Sequence, residues 1–349
     1  MKYFVTGNEY ISLPTIRAID GALEGITFLH MGAKGLLEMR GSETAPFLQP
    51  YVVRDGEELA LKDLEWTYES HWIPSYTARL GDVTLHGMLL APLDERGFCC
   101  RLWLEGATQE HRWEMGLRGC WGKTLHSVNE SKEILAEKNL YRSNWNHIYC
   151  MDIRPNISLF AFAPLLFEDW MQDRYRYEFQ KKDGCVSYRL WTSWECDEKP
   201  ETSEFWFGLG YDEVAAATSA KELFRQSFDH LLGRTKKWLE ARARHAVDAA
   251  LEDKLNRNLF FSYFFGSGKT LDTEEYVLVT SRSPRYYVSA AYWDRDSLLW
   301  SFPSILMMDE EIAEQMLRYV FTRQIRNVGV HSRFIDGTVL EPGFELDEL

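Results

Sequence analysis

The segment Tyr287–Ser297 combines residue types that suit the binding of a sugar. It holds three aromatic residues, one arginine and two aspartates. Aromatic rings can lie against the C–H faces of a sugar, and charged side chains can bind its neighbouring hydroxyls. The alternative is a structural pair of Arg295 and Asp296 at the start of a helix. The local sequence leaves both interpretations open.

A second group of chemically active residues lies near residue 349. Glu341, Glu345, Asp347 and Glu348 fall within eight positions, just after or beside a proline and a glycine. This composition is typical of a first helical turn, so we expect residues 340–349 to begin a helix with Glu341 and Glu345, or Glu345 and Glu348, on one face. Hydrolysis of a glycosidic bond needs two carboxyl groups, one of them held protonated by its surroundings. The alternative is a solvated helix start whose acids complement the helix dipole.

The sequence Trp293-Asp294-Arg295-Asp296 resembles the Trp-x-Arg-Asp signature of the six-hairpin, (α/α)6-barrel glycosidases, the glucoamylase-like and glycogen-debranching group. In such enzymes the Arg-Asp pair binds the hydroxyls of the sugar in the −1 subsite, and aromatic residues wall that subsite. The substrate-binding residues that the resemblance implies are Tyr287, Tyr292, Trp293, Arg295 and Asp296.

Residues 343–348 resemble a second, looser acidic motif at a helix start in the same superfamily. The resemblance makes Glu345 and Asp347 the candidate catalytic acids and leaves open which of them donates the proton. It also implies an inverting hydrolase of α-glucans or short α-glucosides that uses no metal or cofactor. Two other function classes remain: a non-catalytic carbohydrate-binding or regulatory module, and a sandwich whose main task is subunit contact.

The same resemblance predicts the architecture. Many members of the group carry a β-sandwich, then a linker helix, then a barrel of twelve helices. We expect the sandwich and only the first part of the barrel here, and therefore an incomplete catalytic unit. The expected partners are an oligosaccharide or glucoside substrate and, around the helices, either a second copy of the chain or the remaining barrel helices.

Composition excludes several other classes of partner. The net charge of −14 argues against nucleic acid, because phosphate binding needs a basic surface. No stretch has the apolar length of a membrane span, and the first residues show no secretory signal, so we expect a cytoplasmic protein. The six cysteines lack metal-binding spacing and are expected to be free thiols. Gly266–Thr270 lacks the first glycine of a phosphate-binding loop, so ATP is not expected.

The elements that position these segments predict an α+β multidomain chain. Val83–Leu89 and Phe98–Glu105 alternate between apolar and polar residues, and turn sequences such as Arg54–Gly56 and Lys182–Gly184 separate such runs. Many strands joined by short turns favour an antiparallel sandwich. The expected domains are a β-sandwich at 1–212, linker helices at 213–250 and the N-terminal portion of the (α/α)6 barrel at 251–349.

Helical signals begin where the alternation ends. Ser219–Glu222 is a capping box that predicts a helix start, Gly233 predicts its end, and Thr235 predicts the start of a second helix. Leu255–Phe265 is apolar on more than one side, which predicts a helix buried between layers. Asp309 precedes the clearest amphipathic helix.

Overall fold

The computed structural model describes residues 2–142, 147–153, 157–167, 174–286 and 288–344. Nineteen strands precede the first helix in this part of the chain. The first ten are β1 (Tyr3–Gly7), β2 (Ile11–Arg17), β3 (Gly25–His30), β4 (Gly35–Arg40), β5 (Gln49–Arg54), β6 (Glu57–Leu59), β7 (Glu65–Glu69), β8 (Ile73–Leu80), β9 (Val83–Leu90) and β10 (Gly97–Glu105). The next nine are β11 (Trp113–Trp121), β12 (Lys123–Ser127), β13 (Ser131–Glu133), β14 (Lys138–Arg142), β15 (His147–Ile153), β16 (Ile157–Pro164), β17 (Tyr175–Lys182), β18 (Cys185–Trp194) and β19 (Ser203–Gly210).

These strands form three antiparallel sheets. The orders are β1-β2-β3-β4-β12-β13, β14-β15-β16-β19-β10-β9-β8-β7 and β17-β18-β11-β5-β6. One apolar cluster that includes Phe28, Phe98 and Leu190 fills the space between them. The predicted turns close hairpins: Asp55 joins β5 to β6 and Asp183 joins β17 to β18, each with positive φ and a following glycine that also has positive φ. The expected antiparallel sandwich is confirmed.

The helical part follows β19. Its helices are α1 (Glu213–Gln226), α2 (Phe228–Arg242), α3 (Ala249–Phe265), α4 (Phe302–Met308) and α5 (Glu310–Thr322). A π-helical turn spans Asp296–Ser301, and a 3-10 turn spans Gln324–Asn327. Two short hairpins complete it, formed by β20 (Ser267–Lys269) with β21 (Tyr276–Leu278) and by β22 (Val330–Arg333) with β23 (Val339–Phe344). This partial helical domain after a sandwich agrees with the expected fold class.

The first helices do not begin and end where the local signals predict. The side chain of Asp212 accepts a 2.8 Å hydrogen bond from the backbone N–H of Ala215, so α1 begins at Glu213, six residues before Ser219. The break lies at Ser227, whose φ of 63° is not helical, and α2 runs on through Gly233. Those predicted boundaries were wrong, because a capping sequence inside a helix has no free N–H groups to cap. The domain boundaries themselves stay predictions.

The helices pack directly against the sandwich. Trp72, which directly precedes β8, stacks on Phe264 of α3 with ring centroids 5.3 Å apart, and its indole N–H donates to the carbonyl of Gly7. Gly208 on β19 lets α1 approach closely, since an added Cβ would lie 2.1 Å from the carbonyl oxygen of Ala216. One apolar cluster therefore contains residues of both parts.

Helix α3 is buried on one side only. Phe260 and Phe264 are buried, whereas Leu255 and Phe261 are exposed. The expectation of burial on several sides was wrong, because the sandwich, α2, α4 and β20 contact this helix among the described residues and leave its face at Leu255 and Phe261 uncovered. Exposed apolar residues continue onto its neighbours, with Trp300 as the largest. Among the residues described, no helix has the length and apolar character needed to cross a membrane.

The expected helix over 340–349 is also wrong for the residues that can be checked. Val339–Phe344 is strand β23, and Ser332 and Glu341 are cross-strand neighbours in its pairing with β22. Glu341 therefore does not share a helical face with Glu345. The turn Phe334–Thr338 closes the hairpin with backbone hydrogen bonds between its residues. The pairing of β22 with β23 therefore overrides the local composition that predicts a helix start.

Candidate functional site

The Trp-x-Arg-Asp segment is held at the edge of the β22–β23 hairpin. The backbone N–H of Tyr292 donates to the carbonyl of Arg333 at 2.9 Å, and the N–H of Arg333 donates back at 3.0 Å. These two reciprocal hydrogen bonds hold the backbone of Tyr292 antiparallel to Arg333 and so fix the orientation of the chain just before Trp293. Tyr292 is fully buried below that point, with the Arg333 guanidinium carbon 4.9 Å from its ring centroid. Its predicted contact with a sugar stays a prediction.

Arg282 anchors the beginning of the same segment. Its side chain is completely buried, and Nη1 donates to the carbonyls of Asn8 at 2.6 Å and Phe264 at 2.9 Å. Its own carbonyl accepts a hydrogen bond from Thr27 in the sandwich. Burial lowers the pKa of Arg282 to about 9, because the charged form loses its hydration. The loop that carries the candidate site is thus attached to both the sandwich and α3.

Asp294 has a structural partner that sequence reasoning missed. Its carboxylate forms an ion pair with Arg333, whose side chain is 1% exposed, and Arg333 also donates to the carbonyl of Gln324 at 2.8 Å. Such a counter-ion offsets the cost of removing the guanidinium of Arg333 from water. The two residues are 39 positions apart, and no local pattern signals their contact.

Arg295 and Asp296 lie together at the start of the π-helical turn. Nη2 of Arg295 is 3.5 Å from Oδ2 of Asp296, and the Arg295 side chain makes no capping hydrogen bond with the turn. The Arg295 guanidinium carbon is 6.0 Å from the ring centroid of Trp300, an exposed indole. The guanidinium is one-third exposed and the carboxylate 11% exposed, so the pair can be reached by a ligand while being partly shielded from water.

Trp293 packs against the imidazole of His331, which in turn contacts a carboxylate. Its ring is edge-on to His331 with centroids 4.2 Å apart. Nε2 of His331 lies 3.1 Å from Oε2 of Glu341, which also accepts a 3.3 Å hydrogen bond from the Ser332 hydroxyl. His331 therefore links the indole of Trp293 to the carboxylate of Glu341.

The assembled residues can bind a polyhydroxylated ligand. The exposed indole of Trp300 offers an apolar face, while the neighbouring Arg295–Asp296 pair offers hydrogen-bond donors and acceptors. Ser297, fully buried at the base of the turn, follows the pair directly. Among the described residues, no group of three or more His, Cys, Asp or Glu side chains is arranged to hold a metal ion. Three predicted site residues, Tyr287, Glu345 and Asp347, lie outside the described residues.

Comparison with known proteins agrees with this architecture. The chain matches a solved bacterial glucoamylase complexed with acarbose over 99% of its own length and 54% of that chain, with a TM-score of 0.54 and 11% identity. The fold is glucoamylase-like. The chain spans about half the length of that glucoamylase. No family model and no curated protein matches the sequence.

Two further solved structures match with lower TM-scores. A family GH92 α-mannosidase from Bacteroides thetaiotaomicron has a TM-score of 0.39 at 11% identity, covering 78% of this chain and 41% of that one. A putative kojibiose phosphorylase from the human microbiome has a TM-score of 0.41 at 11% identity, covering 96% of this chain and 47% of that one.

Proposed function

We propose that this chain is the sandwich and first helical portion of a glucoamylase-like glycoside hydrolase that acts on α-glucans or short α-glucosides. The observation that carries the proposal is the Arg295–Asp296 pair beside the exposed indole of Trp300. The glucoamylase that shares the fold was solved with acarbose, which supports an oligosaccharide as the ligand.

The proposed binding mode follows from the geometry of the pair. Asp296 accepts hydrogen bonds from two neighbouring sugar hydroxyls, and Arg295 donates to the oxygens beside them. Trp293 lies against a C–H face of the same ring, and His331 packs edge-on against that indole. Binding in one fixed orientation lowers the barrier by removing the entropy of bringing the reactants together.

The proposed chemistry needs two carboxyl groups in addition to Asp296. We assign the role of proton donor to Glu345 or Asp347. In the sequence both follow strand β23, which contains Glu341. In an inverting mechanism the second carboxylate activates a water on the opposite face of the sugar, and the two groups stand roughly 6.5–9.5 Å apart. The activating base is expected from additional helices.

Substitution in the intact natural protein tests these roles separately. Asp296→Asn should weaken acarbose binding roughly 10- to 100-fold, the effect expected for one lost charged hydrogen-bond partner. Glu345→Gln or Asp347→Asn should lower turnover of p-nitrophenyl α-glucoside by roughly 10²–10⁴ with binding retained. Glu348→Gln, a change in a neighbouring acid with no assigned role, is the matched control.

Each rival function predicts a different outcome. A carbohydrate-binding or regulatory module would bind maltooligosaccharides, lose that binding with Asp296→Asn, and show no turnover that depends on either tail acid. A subunit-contact protein would bind no maltooligosaccharide in a calorimetric titration. Either result would reject the hydrolase proposal.

A further inference from the structure

The outer face of the five-stranded sheet carries a row of polar side chains that is built by strand register. Gln49 on β5 is opposite Arg118 on β11, Arg118 is opposite Arg189 on β18, and Arg189 is opposite Glu178 on β17. Neighbouring strands are about 4.8 Å apart, so the row crosses roughly 14 Å of sheet. An amide, two guanidinium groups and a carboxylate thus lie in one line on rigid strands.

A second register row, two residues along, contains aromatic rings. Tyr51 is opposite Gly116, and Gly116 is opposite Trp191. The glycine places no side chain between the two aromatic residues. The Arg189 guanidinium carbon lies 5.0 Å from the Tyr51 ring centroid and 4.6 Å from that of Trp191. The indole of Trp191 is half-buried, so part of its face remains open to solvent.

The charges on this face are already compensated. Nη1 and Nη2 of Arg118 donate to the carboxylate of Glu58, at 2.7 and 2.6 Å. Arg189 donates from Nε to the Tyr51 hydroxyl at 2.7 Å and pairs with Glu114. Each guanidinium keeps further N–H donors. A compensated surface of this kind favours a neutral ligand that needs many hydrogen bonds over an anion such as nucleic acid.

A cavity of about 340 Å³ lies along the polar row. Gln49, Arg118, Glu178 and Arg189 line it, together with Gln180 and Ser187 at its exposed side. A second cavity of about 270 Å³ adjoins it across the loop residues Ala45 and Pro46. The volume is within the range of small-ligand sites, and the shape continues beyond one cavity, as a chain-like ligand requires.

We propose that this sheet face is a second carbohydrate-binding site, which takes a neutral oligosaccharide chain and lies on a different element from the Arg295–Asp296 pair. The ligand lies across the strands, with Trp191 against a sugar face and the Gln49–Arg118–Arg189–Glu178 row bound to hydroxyls. Such a site holds a polymer near the enzyme and adds nothing to the cleavage of a short substrate. The choice of an α-linked glucan as the probe, the Asp296→Asn background and the turnover assay rest on the proposed function.

Calorimetric titration of maltoheptaose tests the proposal in the Asp296→Asn protein, where the candidate active site is disabled. We expect residual binding that Trp191→Ala or Glu178→Ala weakens at least tenfold. Trp103→Ala removes a half-buried indole stacked on His86 on another sheet and should leave that binding unchanged. Because Glu178 is exposed, its substitution also guards against a loss of binding caused by misfolding.

The outcomes separate this inference from the proposed function. If Asp296→Asn protein binds no maltoheptaose, or if Trp191→Ala and Glu178→Ala leave its affinity unchanged, the sheet site does not exist. The hydrolase proposal is judged by turnover instead. In the active protein, Trp191→Ala should lower the rate on soluble starch and leave the rate on p-nitrophenyl α-glucoside unchanged, whereas an equal loss on both substrates would overturn the second site.

Discussion

Asp294→Asn and Asp296→Asn are the same chemical change two positions apart, but the structure predicts that they affect different properties of the protein. Asp294 is the counter-ion of Arg333, whose side chain is 1% exposed. Asp296 is 3.5 Å from Arg295, whose side chain is 34% exposed. The first substitution should therefore act on stability, and the second should act on ligand binding.

The size of the first effect follows from the burial of the guanidinium. Removing one partner of a buried ion pair costs about 3–5 kcal/mol, because the other charge stays desolvated. Asp294 is itself 16% exposed, so water reaches the pair and the lower end, about 3 kcal/mol, is expected. Asp296→Asn loses a partly exposed contact and should cost less than about 1 kcal/mol. If all 349 residues unfold together, the first loss lowers Tm by about 4 °C.

Urea denaturation followed by circular dichroism measures both variants against the unsubstituted protein. Arg333→Met and the double variant Asp294→Asn/Arg333→Met complete a thermodynamic cycle. The double variant should be more stable than the sum of the two single losses predicts, since it leaves no unpaired buried charge. Equal losses for Asp294→Asn and Asp296→Asn, or strictly additive losses in the cycle, would show that this ion pair does not hold the segment.

Three further predictions concern the sandwich. Burial raises the pKa of Glu38 from 4.5 to about 7. Between these pH values the folded protein keeps a proton on Glu38 that the unfolded chain has released. The free energy of unfolding therefore falls as pH rises through this range. Glu38→Gln should therefore gain stability relative to the parent between pH 4.5 and 8, on the order of 3 kcal/mol, in parallel denaturation curves. Burial raises the pKa of the Cys100 thiol to about 12 and the pKa of Cys99 well above its usual value. Iodoacetamide should therefore label the exposed Cys196 in the native protein and label Cys99 and Cys100 only after unfolding. Peptide mass mapping of the labelled protein measures this. Gly208→Ala should destabilise the protein by about 1–3 kcal/mol by forcing α1 away from β19, and an unchanged Tm would contradict that contact.

The sandwich could be predicted because its signals are local. In β18 the side chains of Val186, Tyr188 and Leu190 are buried and those between them are not, which reproduces the alternation in the sequence. A strand needs only its own residues to define its two faces. The same holds for α5, where the Asp309 side chain accepts a hydrogen bond from the N–H of Ile312 as its position before the amphipathic run predicts.

The helix boundaries could not be predicted in the same way. Ser219–Glu222 has the composition of a helix start, yet α1 had already begun at Glu213. Gly233 lies within α2 at a position where an added Cβ would meet no neighbouring atom. A weak local preference decides a boundary only where packing does not extend the helix past it.

The candidate site shows the same division. The sequence determined by itself that an arginine and an aspartate stand together beside an indole, because those residues are neighbours in the chain. It also determined the strands that carry the sandwich. Only the tertiary structure decided that Asp294 is the counter-ion of Arg333 and that His331 contacts both Trp293 and Glu341. It also decided that Val339–Phe344 is a strand. Each of these contacts joins residues about 10 to 40 positions apart, and whether such residues meet depends on the path of the chain between them, which no local pattern encodes.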